Sequence, residues 1–101
     1  MDATIFNALA EPSRLKIVEL LRVQPRSVNE VALLLKLRQP QVSKHLHTLA
    51  EAGLVTVQPI AQQRIYMLQP EPFVRLEDWA NSFQHYWDQQ LDSLENHLKK
   101  G

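Results

Sequence analysis

The sequence predicts a mainly α fold of the α+β kind: a winged helix-turn-helix with a two-stranded β-hairpin wing and a long C-terminal helix. Three observations carry this expectation. Apolar residues recur at helical spacing in short blocks through the first fifty positions, and prolines separate the blocks. After Gly53 the period changes, and two β-branched runs follow. From residue 73 to residue 98 an apolar seam then continues at helical spacing without a break.

The elements follow in order. Ile5, Phe6 and Leu9 give a first short helix one apolar face. The chain restarts at Glu11-Pro12-Ser13, because proline suits a first helical position. Leu15, Val18 and Leu21, with Ile17 and Leu20, make a broad stripe on a second helix that Pro25 ends. Ser27 is placed to cap a third helix, residues 28–36, whose Val28, Val31, Ala32 and Leu35 sit at i, i+3, i+4 and i+7. The joint Lys36-Leu37-Arg38-Gln39 leads to Pro40 and a fourth helix, residues 40–52, with Val42, Leu46, Leu49 and Ala50 on one side. Gly53 stands where a left-handed cap is expected.

Residues 54–58 and 64–68 are the two strands of the wing, with 59–63 as the turn and no Asn-Gly or Asp-Gly pair at its tip. Pro70 and Pro72 then introduce the last helix, about residues 72–98. Its seam is Phe73, Leu76, Ala80, Phe83, Trp87, Leu91, Leu94 and Leu98. At about 1.5 Å per residue this helix is roughly 35–40 Å long, longer than a domain of this size is wide. Part of the seam must meet a surface outside the chain's own core, and a second copy of the chain is the expected partner. The helix is therefore read as a dimerisation helix.

Composition bounds the function. At 101 residues and 11.7 kDa the chain is expected to form one domain, 1–101. The absence of cysteine excludes disulfides, thiolate metal sites and cysteine nucleophiles. Two glycines disfavour a glycine-rich phosphate loop. No apolar run reaches the ~18 residues of a membrane span, and the N-terminus does not read as a secretion signal, so the expected location is the cytoplasm. The net charge of zero hides a segregation: residues 1–50 carry seven Lys/Arg and four Asp/Glu, and residues 51–101 carry four and seven. No cofactor is implied.

With Val42 at zero and 100° per residue, Leu46, Leu49 and Ala50 fall within about 80° of it. Lys44, His47 and Glu51 lie opposite, flanked by Gln41, Ser43 and Thr48. Such side chains reach base edges or phosphates in a major groove. His45, at about 300°, is a packed boundary residue. Ser43 and His45 are two apart and point in different directions, so they form no nucleophile–base pair and the chain is not read as an enzyme. The candidate contacts to double-stranded DNA are Arg38, Gln39, Gln41, Ser43, Lys44, His47 and Thr48, with Gln63 and Arg64 from the wing.

Three stretches carry a resemblance: Leu9-Ala10-Glu11-Pro12-Ser13-Arg14-Leu15-Lys16-Ile17, Val42-Ser43-Lys44-His45-Leu46, and Leu49 through Glu51-Ala52-Gly53-Leu54-Val55. In order and separation they resemble the ArsR-type (ArsR/SmtB) bacterial transcriptional regulators, over about residues 5–68. The resemblance implies a homodimeric winged-helix repressor, with the first and last helices at the dimer interface, and the expected function is to read a palindromic operator through successive major grooves. On this chain those positions are Ile5, Phe6 and Leu9, and Phe83, Trp87, Leu91 and Leu94.

The departures concern metal and the wing. Where metal-sensing members carry a cysteine pair on the supporting helix, this chain has Ser27 and Asn29. Where others carry an Asp-x-His motif on the C-terminal helix, Phe83 replaces the aspartate before His85, and His97 comes one residue late. No metal site is therefore expected, and a non-standard one from His85, Asp88, Asp92 and His97 is the alternative. The wing reads Pro59-Ile60-Ala61-Gln62-Gln63-Arg64, with one charge. That near-neutral wing supports a second alternative, a module that binds protein rather than DNA. A further effector or partner protein is left open.

Overall fold

The computed structural model describes residues 2–100. The elements are α1 (Ala3–Leu9), α2 (Pro12–Val23), β1 (Arg26–Ser27), α3 (Val28–Leu35), α4 (Gln39–Glu51), β2 (Val55–Ile60), β3 (Gln63–Leu68) and α5 (Pro70–Lys100). Residues 2–72 form one compact unit and residues 73–100 a second. The expected winged helix-turn-helix is the first of these.

Its core is built from the predicted stripes. Ile17, Val31, Val42, Leu46, Leu49 and Leu54 are fully buried, with Val18, Leu21, Val55 and Tyr66 beside them. Leu15, which its spacing assigns to the α2 stripe, is half exposed. The buried face of α2 centres between Ile17, Val18 and Leu21, and Leu15 lies about 110° from that centre.

Caps fix the helix starts and stops. Asp2 accepts the Thr4 amide at 2.9 Å to open α1, and Glu11 accepts the Arg14 amide at 2.9 Å to open α2. Ser27 forms a capping box with Glu30: Ser27 Oγ accepts the Glu30 amide at 3.2 Å, and the Glu30 carboxylate accepts the Ser27 amide at 3.1 Å. The expected cap at Ser27 is therefore present, and Glu30 is its second half. Lys36 ends α3 in the left-handed region, φ 56°. The joint to α4 is thus only three residues, and α4 begins at Gln39 rather than Pro40.

Gly53 ends the region after α4 with φ 79°, and the amides of Gly53 and Leu54 return to the carbonyls of Ala50 and Leu49, each at 3.0 Å. A Cβ at Gly53 would meet nothing within 4 Å. The glycine is there for its dihedral angle and not for space.

The sheet has three strands in the order β1-β3-β2, all antiparallel. The third strand, β1, escapes sequence reading because two residues carry no period. It pairs Arg26 with Tyr66 and Ser27 with Ile65, and so ties the start of α3 to the wing. The hairpin is longer and tighter than expected. Pairing continues to Ile60 opposite Gln63, leaving only Ala61 and Gln62 at the tip. Both have positive φ, 48° and 69°, the sign pattern of a type I′ turn. Neither residue favours that region, which costs about 1 kcal/mol or more for each. Replacing the pair with Asn-Gly should raise stability by about 1 kcal/mol after glycine's entropy is subtracted, seen as a higher melting temperature. An unchanged or lower melt would contradict the strained-tip account.

The second unit is the helical remainder of α5. Among the described residues no helix is long and apolar enough to cross a membrane. The 31 residues of α5 span about 46 Å, more than expected, because the helix starts at Pro70. Prolines at 70 and 72 are tolerated there, since first-turn amides have no helical partner to lose. Phe83, Trp87, Leu91, Leu94 and Leu98 of its seam are exposed along one line, with Trp79 and Phe83 packed edge to face at 5.1 Å.

Candidate nucleic-acid interface

The site is the outer face of α4 together with the wing. Burying Val42, Leu46 and Leu49 on one side leaves Gln39, Gln41, Ser43, Lys44, His47 and Thr48 exposed on the other. A cleft of about 380 Å³ gathers Gln39, Ser43 and His47 from α4 with Gln63 and Arg64 from β3. Ser27 and Asn29 from the start of α3, and Gln62 from the wing tip, also line it. Five of the nine predicted contacts thus converge on one recess. Arg38, Gln41, Lys44 and Thr48 lie outside it.

Several of these side chains already have work within the fold. Gln41 Oε1 accepts the Arg38 amide at 3.4 Å, closing the first turn of α4 and leaving its NH2 group to donate elsewhere. Thr48 donates its hydroxyl to the Lys44 carbonyl at 3.1 Å, which leaves only its lone pairs for a ligand. Lys44 and Arg64 are exposed cations able to meet phosphate.

Asn29 and Gln62 are not legible in the sequence as part of the site: they join the cleft only because β1 pairs with β3 and the turn is tight. Glu51 has the outer-face position its angle predicts, and the structure adds its contact, with Oε1 2.7 Å from His47 Nε2, at the i, i+4 spacing of a carboxylate after a histidine.

His45 takes the boundary position expected of it. It is half-buried, with Nδ1 3.8 Å from Glu11 Oε2. The Arg14 amide donated to Glu11 holds that carboxyl below its usual range. Partial desolvation opposes this, and His45, the Ser13 amide and the Arg14 guanidinium add to it. Arg14 in turn donates its Nε to the Ala8 carbonyl at 2.6 Å and Nη2 to the Asn7 carbonyl at 3.3 Å. The conspicuous Glu11-Pro12-Ser13-Arg14 motif therefore serves the α1–α2 corner.

Of the residues expected at a dimer interface, Ile5 is already buried within a single chain. Phe6 is exposed and Leu9 half-buried, so from α1 Phe6 is the side chain with most surface left to offer. Among the described residues no three His, Cys, Asp or Glu side chains are grouped to hold a metal, His85, Asp88, Asp92 and His97 included.

The family described as bacterial regulatory protein, arsR family, matches residues 11–57. The chain is 37% identical over 78 residues to an HTH-type transcriptional regulator of Mycobacterium tuberculosis, covering 77% of this chain and 73% of that protein. A crystal structure of an ArsR family transcriptional regulator superposes with a TM-score of 0.76 at 30% identity, over 84% of this chain and 93% of that one. The homodimeric winged helix-turn-helix DNA-binding domain from Mycobacterium bovis matches with a TM-score of 0.68 at 26% identity, over 82% and 77%. With the capped helix pair, the tight joint and the wing in place, these likenesses assign the chain to the ArsR family of bacterial transcriptional regulators, whose DNA-binding winged helix-turn-helix it carries.

Proposed function

We propose that the protein is a homodimeric repressor that reads a palindromic operator with paired copies of α4. In this reading the two helices enter major grooves about one helical turn apart. The observation that supports it best is the two-sidedness of α4: one face is fully buried, and the other presents Ser43, Lys44 and His47 beside Gln63 and Arg64 of the wing. The homodimeric neighbour from Mycobacterium bovis supports the paired arrangement. The proposed base contacts are Gln39, Gln41, Ser43, His47, Thr48 and Gln63, and the proposed phosphate contacts are Arg38, Lys44 and Arg64. Release from the operator is proposed to need no metal, since the chain has no thiolate and its C-terminal histidines lack the aspartate partner.

Binding to the protein's own upstream region, followed by anisotropy over a salt series, tests this reading. Lys44→Ala should weaken binding to all sequences alike and lower the salt slope by about one. Arg64→Ala should do the same more weakly. Gln41→Ala should cost about 1–3 kcal/mol on the operator and much less elsewhere. It should also lower the melt slightly, because the Arg38 amide loses its cap. Flat salt dependence and no footprint would instead favour a protein partner for this face.

A further inference from the structure

Glu51 sits at the last residue of α4, exposed, on the same outer face as His47. An acidic side chain there is out of place on a surface meant for phosphates, which it repels. Its contact explains the position. A carboxylate oxygen only accepts, so a 2.7 Å approach to His47 Nε2 requires a proton on that nitrogen. In the neutral ring the other nitrogen, Nδ1, is then the acceptor. With Nε2 held back towards the end of α4, the edge left to a ligand is the Nδ1 edge. His47 also lines the cleft with Ser43, Gln63 and Arg64, so its ring stands on the proposed reading face.

We infer that Glu51 is a positioning residue for sequence specificity: it fixes the orientation of His47 and, while the ring is neutral, its tautomer, so that neutral His47 selects a base offering a donor in the major groove. Those bases are adenine, through N6, and cytosine, through N4; guanine and thymine present acceptors at the corresponding edge. Without Glu51 the ring turns freely, shows either a donor or an acceptor, and reads nothing. The inference rests on the reading of α4 as the groove-facing helix.

The test is selection at pH 8, chosen to favour the neutral imidazole, from a library randomised across one half-site, with wild type, H47A, E51A and E51Q in parallel. Wild type should prefer one base pair about tenfold at one position, as is usual for a single specific base contact, and should lose that preference when the pair's adenine N6 or cytosine N4 amino group is removed. H47A should relax that position and no other. E51A should relax the same position to about twofold or less, and E51Q, whose amide oxygen still accepts, should keep most of the preference. Dividing by binding to random DNA removes any uniform gain from losing the carboxylate charge. If E51A only tightens binding to every sequence, Glu51 acts through charge alone and the inference is overturned. It is also overturned if wild-type binding is unchanged when the preferred pair loses its major-groove amino group, by 2-aminopurine in place of adenine or 2-pyrimidinone in place of cytosine, or if H47A relaxes no position. Both results leave the reading of α4 standing, whereas no sequence preference by wild type would end that reading as well.

Discussion

Replacing Phe83 and Trp87 with alanine should turn the proposed dimer into a monomer at micromolar concentration. The two side chains are 40% and 56% exposed on a line that continues through Leu91, Leu94 and Leu98. A helix that leaves such a seam in water is costly at about 25 cal/mol per Å² of apolar surface. In a two-fold assembly each substitution removes two anchors. Central aromatic anchors cost at least about 2 kcal/mol apiece when truncated, so the four lost anchors sum to about 8 kcal/mol, a factor approaching a million in dissociation constant. Sedimentation equilibrium of wild type and the double variant measures this directly. A well-folded monomeric wild type would remove the dimer from the proposed function.

The second large effect separates the two faces of one helix. Leu46→Ala should lower the unfolding free energy by about 2–5 kcal/mol, because Leu46 is fully buried and truncation leaves a cavity in a small core. Lys44→Ala, two residues away, should stay within roughly 0.5 kcal/mol of wild type in urea, because exposed helix positions tolerate alanine. The binding effects should run the other way: at temperatures where both are folded, Leu46→Ala should keep the salt slope that Lys44→Ala loses. Equal effects of the two on stability would mean that α4 has been assigned the wrong inner face.

Sequence reveals whatever repeats along a single element. Val42, Leu46 and Leu49 declare the inner face of α4 because helical period and burial coincide there, and Gly53 declares a stop because few other residues tolerate its φ. Motifs in register make the family legible from the order of residues alone. What stays hidden depends on residues far apart in the chain or on backbone choices against preference. The β1 strand is defined only by its partner, Tyr66 and Ile65 on β3. The tip at Ala61 and Gln62 places two ordinary residues in the left-handed region because the strand pairing demands it. Lys36 does likewise at the end of α3. The site is legible as a polar face and not as a recess, since nothing in the α4 pattern indicates that Asn29 and Gln62 meet it.

Leu54 acts as a rivet. Its amide is fastened to the Leu49 carbonyl in α4, its carbonyl accepts the Gln69 amide at 2.9 Å just beyond β3, and its side chain is fully buried. Three independent attachments on a single residue leave the reading helix and the wing no hinge between them. In the proposed function the two therefore meet a duplex as one tool of fixed opening angle. A movement that tilts α4 must carry the wing along with it.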